Sequence, residues 1–543
     1  MKEGKGFLKV YTRQPDQASY PPGLAYSIHM AVSTDGREYN PLNKNYGILF
    51  AKAAIRQDNT ISPKGVKDPG VVDLGGGLFG IAARQVHENG EADEGCLRKC
   101  LLWKTRDFIS FEDPLWLTEE ETGKMETAAC LEISWEILAP AVEYWTPVFN
   151  TEIQVPESVE VCSGKELDQV KATAFYSDGS FASQKVVWEK SGIDFSVLGT
   201  YQVKGTVTGK QYPFPLAKGY GDPVIFSWEG KWYYTSTNDN VDDIGLYVRE
   251  SDTVEGLFGE NDKEYLILGQ DKKRGLVQTF WAPEFHVIGG ELYLLFAVSG
   301  QVWGPQCHLM KLKKGCPITN AGSWENPVRV IRKDGSWLGG DGITLDMTYL
   351  KTPRESYMVW SYRKGMGTPG DTGSMLYIAS VDDEEPWRLT SEPVLLSRPL
   401  FGWENVNGTV NNEGPYVFLD DGKVYLTYSG GAANGYTYAV GLLMAGEMED
   451  LLDVSVWRKR CAPALSFYSV EGEYGPGHNS FFVDEEGDLM IAYHGETGLS
   501  ENLRCNGIRR VHFRKDGSPE FGMSAKEELD PALCRVEIKV FVR

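Results

Sequence analysis

The sequence predicts an all-β protein whose largest part is a five-bladed β-propeller, and three observations support this prediction. Short apolar and aromatic stretches separated by Gly, Asp and Asn dominate the 543 residues, whereas helical periodicity is rare. The chain contains 60 Gly, 27 Tyr and 15 Trp, which is typical of a turn-rich β protein. A turn followed by an aromatic strand also recurs five times.

The five copies of this unit lie after residue 212, about 60 to 70 residues apart. They cover residues 229–234, 290–295, 355–360, 422–427 and 487–492. One four-stranded blade per copy gives five blades. A β-sandwich with coincidental spacing is the alternative.

The length is too great for one core and predicts two to four domains, and composition along the chain divides it into three. Residues 1–149 are predicted to be a β-rich, blade-like accessory segment, because residues 67–72, with Asp68, repeat the phrase found around Asp222. Residues 150–209 are predicted to be a small β-sandwich, and residues 195–207 resemble the end of a bacterial immunoglobulin-like (Ig-like) domain. Residues 210–543 form the predicted propeller.

The formal charge of −22 argues against nucleic acid or an anionic membrane as a partner and fits a neutral substrate. The nine cysteines are scattered, and only Cys96 and Cys100 lie close in sequence, so neither a zinc site nor a disulfide framework is expected. Together with a start that lacks the apolar core of a secretory signal, this predicts reduced thiols and a cytoplasmic location. The sequence predicts no oligomeric state.

Three carboxylates precede strands of different repeats, namely Asp222, Asp346 and Glu413. The innermost strands of a propeller line its axis, so these side chains can meet in one funnel. Such a set suits glycoside hydrolysis, in which one carboxyl is the acid and another the base. The third can raise the pKa of the acid as a near neighbour. Asp341 competes with Asp346 for the middle position, although the spacing to Trp360 favours Asp346.

Residues 213–543 resemble glycoside hydrolase family 43, whose members are five-bladed propellers that attack arabinose- and xylose-containing glycans. Six motifs in order carry the resemblance: Gly221-Asp222-Pro223, Trp281-Ala282-Pro283-Glu284, Leu345-Asp346-Met347-Thr348-Tyr349, Asn412-Glu413-Gly414-Pro415, Gly475-Pro476-Gly477-His478-Asn479-Ser480 and Arg509-Arg510-Val511-His512-Phe513.

The resemblance implies that Asp222 is the general base, that Asp346 tunes and orients the acid, and that Glu413 is the general acid of an inverting reaction. His478 is similar to the family's histidine near the axis, which makes it a candidate substrate-binding residue and metal ligand. A hydrogen-bonded core histidine is the alternative. Trp281 and Trp403 are candidate sugar platforms, or they pack between blades. Glu284 is expected to have a supporting role.

The function implied is an exo-acting α-L-arabinofuranosidase acting on plant-type, arabinose-containing oligosaccharides. No cofactor is expected, although the resemblance allows a structural calcium ion at the propeller axis. A β-xylosidase of the same mechanism and a non-catalytic glycan-binding propeller are the alternatives. Three carboxylates speak against the latter, because a binding module needs no acid-base pair.

Overall fold

The protein is described by a computed structural model over residues 4–259 and 263–543. Its N-terminal region contains two four-stranded antiparallel sheets and a small hairpin. The strands are β1 (Lys5–Tyr11), β2 (His29–Ser33), β3 (Asn40–Pro41), β4 (Ala54–Ile55), β5 (Ile61–Ser62), β6 (Lys64–Gly75), β7 (Leu78–His87), β8 (Lys99–Thr105), β9 (Leu115–Thr118) and β10 (Cys130–Ser134). One sheet has the order β10-β1-β2-β3 and the other β6-β7-β8-β9, the strand order of a propeller blade.

The two N-terminal sheets bury their apolar faces in one core, which includes Leu8, Val71 and Ile81. The helices of this region are α1 (Pro22–Ala25), α2 (Glu119–Gly123) and α3 (Trp135–Trp145). The Thr118 hydroxyl accepts from the Glu121 amide and so caps α2, while Leu138 of α3 lies in the shared core. The prediction of a β-rich, blade-like accessory segment is confirmed.

A six-stranded sheet follows in the chain, and it explains the Ig-like pattern. Its first strands are β11 (Asn150–Gln154), β12 (Ser158–Val161), β13 (Ala172–Tyr176), β14 (Phe181–Trp188) and β15 (Gly199–Thr208), with α4 (Gly164–Leu167) after β12. Alternate residues of β14 are buried, which is the pattern of a strand with one face on a core.

The last strand of the chain, Arg535–Val542, also belongs to this Ig-like sheet. It pairs antiparallel with β15 and parallel with β12. Ile538, Val540 and Val542 lie in the core of the Ig-like unit. The predicted propeller range of 210–543 therefore includes one strand that the hydrogen bonds assign elsewhere, because a strand pairs with a free edge regardless of its distance in sequence. With this change, the domain division stays a proposal.

Five antiparallel sheets make up the propeller, and the predicted number of blades is confirmed. Blade 1 contains β16 (Tyr220–Trp228), β17 (Lys231–Asn238), β18 (Leu246–Ser251) and β19 (Tyr265–Leu268). Blade 2 contains β20 (Gln278–Ile288), β21 (Glu291–Ser299), β22 (Gln306–Lys311) and β23 (Val328–Arg329). Blade 3 contains β24 (Ile343–Lys351), β25 (Ser356–Arg363), β26 (Met375–Val381) and β27 (Val394–Ser397). Blade 4 contains β28 (Asn412–Asp420), β29 (Lys423–Gly430), β30 (Ala439–Gly446) and β31 (Arg458–Lys459). Blade 5 contains β32 (Tyr474–Val483), β33 (Leu489–Glu496) and β34 (Cys505–Arg510).

Blade 5 is completed by the segment that enters the propeller, which closes the ring. The Leu216 amide donates to the Asn506 carbonyl over 2.9 Å, and the Asn506 amide donates to the Ala217 carbonyl over 2.9 Å. The inner strands β16 and β32 are also in contact. Closure leaves no free edge between the last blade and the first, so five sheets surround a single axis.

After blade 5 the chain forms β35 (His512–Phe513), β36 (Pro519–Glu520), α5 (Ala525–Glu528) and β37 (Arg535–Val542). None of the helices in the described part of the chain has the length and apolar character needed to span a membrane.

The N-terminal region packs on blade 4 through the segment that leads into β28. Tyr20, Leu24 and Phe50 share an apolar cluster with residues of that segment and of blade 4. The Ala53 amide donates to the Leu400 carbonyl over 2.7 Å, so the contact includes backbone as well as side chains.

Candidate active site

Each inner strand of the propeller carries a β-bulge, and a residue within each bulge has a positive φ. These residues are Asp222 (55°), Ala282 (47°), Asp346 (54°), Gly414 (55°) and His478 (40°). Residues other than glycine adopt this conformation at a steric cost, and such strain concentrates at functional sites. A bulge changes the direction of a side chain, here of two aspartates and a histidine. Glu413 directly precedes the bulged Gly414.

Three of these bulged residues, Asp222, Asp346 and His478, line a cavity of about 590 Å³. Five of the six predicted site residues line it: Asp222, Trp281, Asp346, Glu413 and His478. They come from all five blades, as expected for side chains at the beginnings of inner strands.

Asp222 is buried and surrounded by donors. Its carboxylate accepts from the Thr237 hydroxyl over 2.5 Å and from the Arg504 guanidinium over 3.1 Å, and His478 Nδ1 lies 3.1 Å away. Burial by itself would raise the pKa of Asp222, but the neighbouring His478 and Arg504 lower it well below the usual value. Asp222 is therefore ionised at neutral pH.

His494 orients the backbone of Asp222. The Asp222 amide donates to His494 Nδ1 over 3.1 Å, and His494 Nε2 lies 3.0 Å from the Ala433 carbonyl. One nitrogen therefore accepts and the other donates, which assigns a neutral ring protonated at Nε2. Burial also lowers the pKa of His494 and so favours this neutral form. The negative charge of Asp222 is consequently stabilised mainly by Arg504 and His478.

Glu413 has the opposite electrostatic environment. Burial and the nearby Asp346 raise the pKa of Glu413 to about 8, although a hydrogen bond from the Tyr438 hydroxyl over 3.0 Å opposes this shift. Asp346 accepts from the Gly414 amide over 3.0 Å, so it fixes the backbone next to Glu413. Burial also raises the pKa of Asp346. The cavity thus combines a protonated carboxyl with an ionised one, which is the requirement for acid-base chemistry.

Trp281 is held in the cavity wall by a carboxylate that the sequence analysis missed. Its indole Nε1 donates to Asp243 over 2.8 Å. Asp243 follows Asp242 in a turn where both residues have positive φ. Arg504 also binds Asp239, which lines the same cavity. Asp239 and Arg504 therefore connect the wall next to Trp281 with Asp222.

Trp403 does not line this cavity, which contradicts its predicted role as a sugar platform. Its side chain is 0% exposed, and its indole donates to the Cys461 carbonyl over 2.8 Å. The ring stacks on Tyr428 with 5.9 Å between centroids. Trp403 lies in an apolar cluster that the N-terminal region forms with blades 3 and 4, so its side chain packs in a core.

The solvent exposure of the other candidate acids differs from one to the next. Asp341 is exposed, with 68% of its side chain accessible, and it pairs with Lys364 over 2.5 Å, whereas Asp346 is buried at the cavity. Glu284 is buried 2.8 Å from His286, and burial raises its pKa well above the usual value. Asp68 has the same bulge and a φ of 53°, but its side chain is 71% exposed and pairs with Arg84.

The described side chains at the axis are not arranged as the ligand set of a metal ion. Within residues 4–259 and 263–543, no group of three or more His, Cys, Asp or Glu side chains is arranged to hold one. His478 directs Nδ1 at Asp222, and Ca²⁺ prefers six to eight oxygen ligands. No metal role is therefore derived for His478.

Sequence reasoning missed Arg504, Tyr438, His494 and Asp243, and also Arg363, which lines the cavity and lowers the pKa of Glu413. None of them lies in an inner strand: Arg363 and His494 lie at or near the ends of β25 and β33, and the other three lie in loops. No recurring phrase surrounds Arg504, so its place beside Asp222 had no signal in the sequence.

The sequence model of glycosyl hydrolases family 43 matches residues 212–519, and the model of the bacterial Ig-like domain (group 4) matches residues 169–210. The chain belongs to glycosyl hydrolases family 43. The match covers all five blades of this family 43 chain, and the Ig-like match ends where β15 ends, to within two residues.

Three known proteins are similar to this family 43 chain. An extracellular exo-α-(1→5)-L-arabinofuranosidase of Streptomyces avermitilis is 31% identical over 58% of this chain and 64% of its own length. α-L-Arabinofuranosidase 43 of Humicola insolens is 31% identical over the same shares. The crystal structure of an α-L-arabinofuranosidase from Lactobacillus brevis has a TM-score of 0.51 and 27% identity, covering 58% of this chain and 97% of that one. The alignments thus span less than two thirds of the length of the first two relatives.

The predicted cytoplasmic location is contradicted by these comparisons. The relative from Streptomyces avermitilis is named an extracellular enzyme, as is one from Streptomyces chartreusis that is 32% identical over 52% of this chain and 82% of its own length. The prediction relied on cysteine content and on the first residues of the sequence, and neither determines the compartment.

Proposed function

We propose that this protein is an inverting, exo-acting α-L-arabinofuranosidase that removes terminal arabinose from arabinose-containing oligosaccharides. The observation that carries the proposal is the opposite protonation of two carboxyls in one cavity, Glu413 with a pKa of about 8 and Asp222 with a strongly lowered pKa. The choice of arabinose and of exo action is supported by the names of the relatives.

Glu413 acts as the general acid in this mechanism. It donates its proton to the glycosidic oxygen while the bond from that oxygen to the anomeric carbon breaks, so the leaving sugar departs as a neutral alcohol. Desolvation in the cavity and the nearby Asp346 raise the pKa of Glu413 to about 8 and so keep it protonated at neutral pH before the reaction. The Tyr438 hydroxyl stabilises the carboxylate that forms.

Asp222 acts as the general base. It accepts a proton from a water molecule, whose oxygen attacks the anomeric carbon from the face opposite the leaving group and inverts its configuration. Arg504 and His478 hold the carboxylate ionised until that transfer. Asp346 orients the acid through the Gly414 amide and keeps its pKa high.

The substrate is a neutral glycan, and an extracellular location is supported by the relatives' names. A chain with a net charge of −22 repels polyanions but not neutral sugars.

The first test compares hydrolysis of an aryl α-L-arabinofuranoside, an aryl β-D-xyloside and linear arabino-oligosaccharides by the wild type and by Glu413→Gln. We expect arabinose release by the wild type and a loss of about 10²- to 10⁴-fold in the variant on the oligosaccharides, because a general acid contributes about this much. Faster cleavage of the xyloside would replace the arabinosidase with a β-xylosidase. No cleavage of any substrate would refute the proposal.

A matched pair tests Asp346. Asp346→Asn removes a charge at the cavity, whereas Asp341→Asn removes an exposed one five residues earlier. We expect a large loss of kcat only in Asp346→Asn.

Proton NMR of the first-formed arabinose measures the stereochemistry, and a product with retained configuration would exclude the single-displacement mechanism.

A further inference from the structure

A stack of side chains runs from the core of blade 2 to the surface, and we call it the Trp337 ladder. Phe296 stacks on His308 with 5.9 Å between ring centroids and 19° between planes, and His308 stacks on Trp303 with 5.9 Å and 21°. The Arg329 guanidinium lies 4.9 Å from the centre of the Trp303 ring and 4.4 Å from the centre of the Trp337 ring. The ladder begins at a buried phenylalanine and ends at a solvent-exposed tryptophan.

Trp337 is unusual because a neighbouring cation holds its ring in place although the ring is exposed to solvent. Its side chain is 53% exposed, and Trp116, at 47%, is the other strongly exposed tryptophan of the described residues. An exposed indole gives up the hydrophobic free energy that burial would supply. The Arg329 cation beneath Trp337 holds the ring, so a ligand that stacks on its open face does not need to order it first.

The ladder is joined to the wall of the catalytic cavity. Trp303 lies in the loop between β21 and β22, and the next residue, Gly304, is so close to Ile343 that an added Cβ would lie 2.7 Å from Ile343 Cγ2. The Thr344 amide donates to the Pro305 carbonyl over 3.0 Å. Ile343 lines the cavity, whereas no member of the ladder does. The ladder therefore lies beside the catalytic cavity and is connected to it through one residue.

Trp337 is connected to the same wall by its own chain. It lies six residues before Ile343 in the segment between β23 and β24. The Gln306 side chain donates to the Gly342 carbonyl over 2.9 Å, which ties the end of this segment to the start of β22. The two loops that bear Trp303 and Trp337 are thus fixed to each other and to the cavity wall.

We propose that the Trp337 ladder is a second sugar-binding surface, which stacks on a ring of the glycan chain whose terminal sugar occupies the cavity. An aromatic face suits the apolar face of a neutral sugar, and the chain's negative charge disfavours an anionic ligand. The proposal rests on the proposed function, because it needs a glycan in the cavity. It makes the enzyme more efficient on longer oligosaccharides than on short ones.

The test compares Trp337→Ala with Trp116→Ala, which removes a similarly exposed tryptophan from the N-terminal sheet β6-β7-β8-β9. The substrates are an aryl α-L-arabinofuranoside and linear α-(1→5)-linked arabino-oligosaccharides of increasing length. We expect Trp337→Ala to hydrolyse the aryl substrate within twofold of the wild type and to lose about tenfold in kcat/KM on the longest oligosaccharides, mainly through KM. Trp116→Ala should match the wild type at every length, and Trp337→Tyr should restore most of the loss.

An equal loss at every length, or no loss at any length, would overturn the proposal and leave the ladder a structural support for its loops. Calorimetry with the same oligosaccharides separates this outcome from failure of the proposed function. The comparison is between Glu413→Gln and the double variant Glu413→Gln/Trp337→Ala. If the wild type hydrolyses nothing but the double variant binds long oligosaccharides about tenfold more weakly, only the proposed activity fails. Equal affinity of the two variants refutes the ladder as a binding surface.

Discussion

At the scale of single residues, the chemistry depends on two carboxyls that share a cavity and differ in their neighbours. Glu413 is close to another carboxyl, Asp346, and its main hydrogen-bond donor is a phenol. Asp222 is in contact with a guanidinium and an imidazole. Burial penalises the charged form of both, so the neighbours decide which one loses its proton.

The pH dependence of kcat/KM follows from these shifts. Glu413 must be protonated to act as the acid, so activity should fall as the pH rises through about 8. Asp222 must be ionised, and its lowered pKa puts the acidic limb at low pH. The measurement uses arabino-oligosaccharides, whose poor leaving groups require the acid. A basic limb below pH 6 would contradict the assignment of Glu413.

Two arginines at the cavity should act on opposite limbs of this profile. Arg504 lowers the pKa of Asp222, so Arg504→Gln should move the acidic limb to higher pH. Arg363 lowers the pKa of Glu413, so Arg363→Gln should move the basic limb to higher pH. The pH profiles of both variants check this, and each serves as the control for the other. Shifts of the same limb in both variants would contradict the arrangement.

At the scale of elements, the repeated bulge determines where the inner strands direct their side chains. Asp222 and Asp346 occupy equivalent positions in blades 1 and 3, while blade 4 has Gly414 in that position and its acid one residue earlier. The glycine leaves room for His478, because an added Cβ at Gly414 would lie 2.8 Å from the His478 ring. The acid of blade 4 and the histidine of blade 5 can therefore approach each other.

Gly414→Ala should disrupt this approach. The added methyl group would force His478 away from Asp222, and a non-glycine residue at a φ of 55° costs about 1–2 kcal/mol more. We expect kcat to fall at least about tenfold. Gly422→Ala in the same blade is the control, since its φ is 72° but its surroundings are open. Kinetics and thermal unfolding of both variants make the comparison, and equal kcat values would count against the role of the bulge.

At the scale of the whole molecule, the chain returns from the propeller to the Ig-like unit for its last strand. β37 completes the sheet between β15 and β12. The Ig-like unit and the propeller are thus connected at both ends of the propeller, through the segment after β15 and through the segment before β37. This double connection restricts the motion of the two units relative to each other.

Burial on β37 should determine the stability of the Ig-like unit. Val540 is 0% exposed, while the neighbouring Lys539 points outward. Val540→Asp should destabilise the Ig-like unit by several kcal/mol, because an unpaired charge would be buried. Lys539→Asp should have little effect. Limited proteolysis and calorimetry measure the unfolding, and intact activity in Val540→Asp would show that the propeller folds without the unit. Equal stability of both variants would contradict the assignment of β37.

The sequence by itself determined what is encoded locally. A turn and an aromatic strand need only a few adjacent residues, so the five repeats predicted five blades. The carboxylates at the strand beginnings could be found because each lies within a short sequence motif. Three such motifs contain Asp222, Asp346 and Glu413, and all three residues line one cavity.

Only the tertiary structure decided the features that depend on distant residues. Trp403 is of the residue type that stacks on sugars, but residues of the N-terminal region cover it. Those residues lie more than 350 positions earlier in the chain. Arg504 contacts Asp222 because ring closure brings blade 5 next to blade 1. β37 pairs with β15, although the whole propeller lies between these two strands in the sequence. Local patterns specify strands and turns, whereas burial and charge environment arise from packing between elements that the sequence keeps apart.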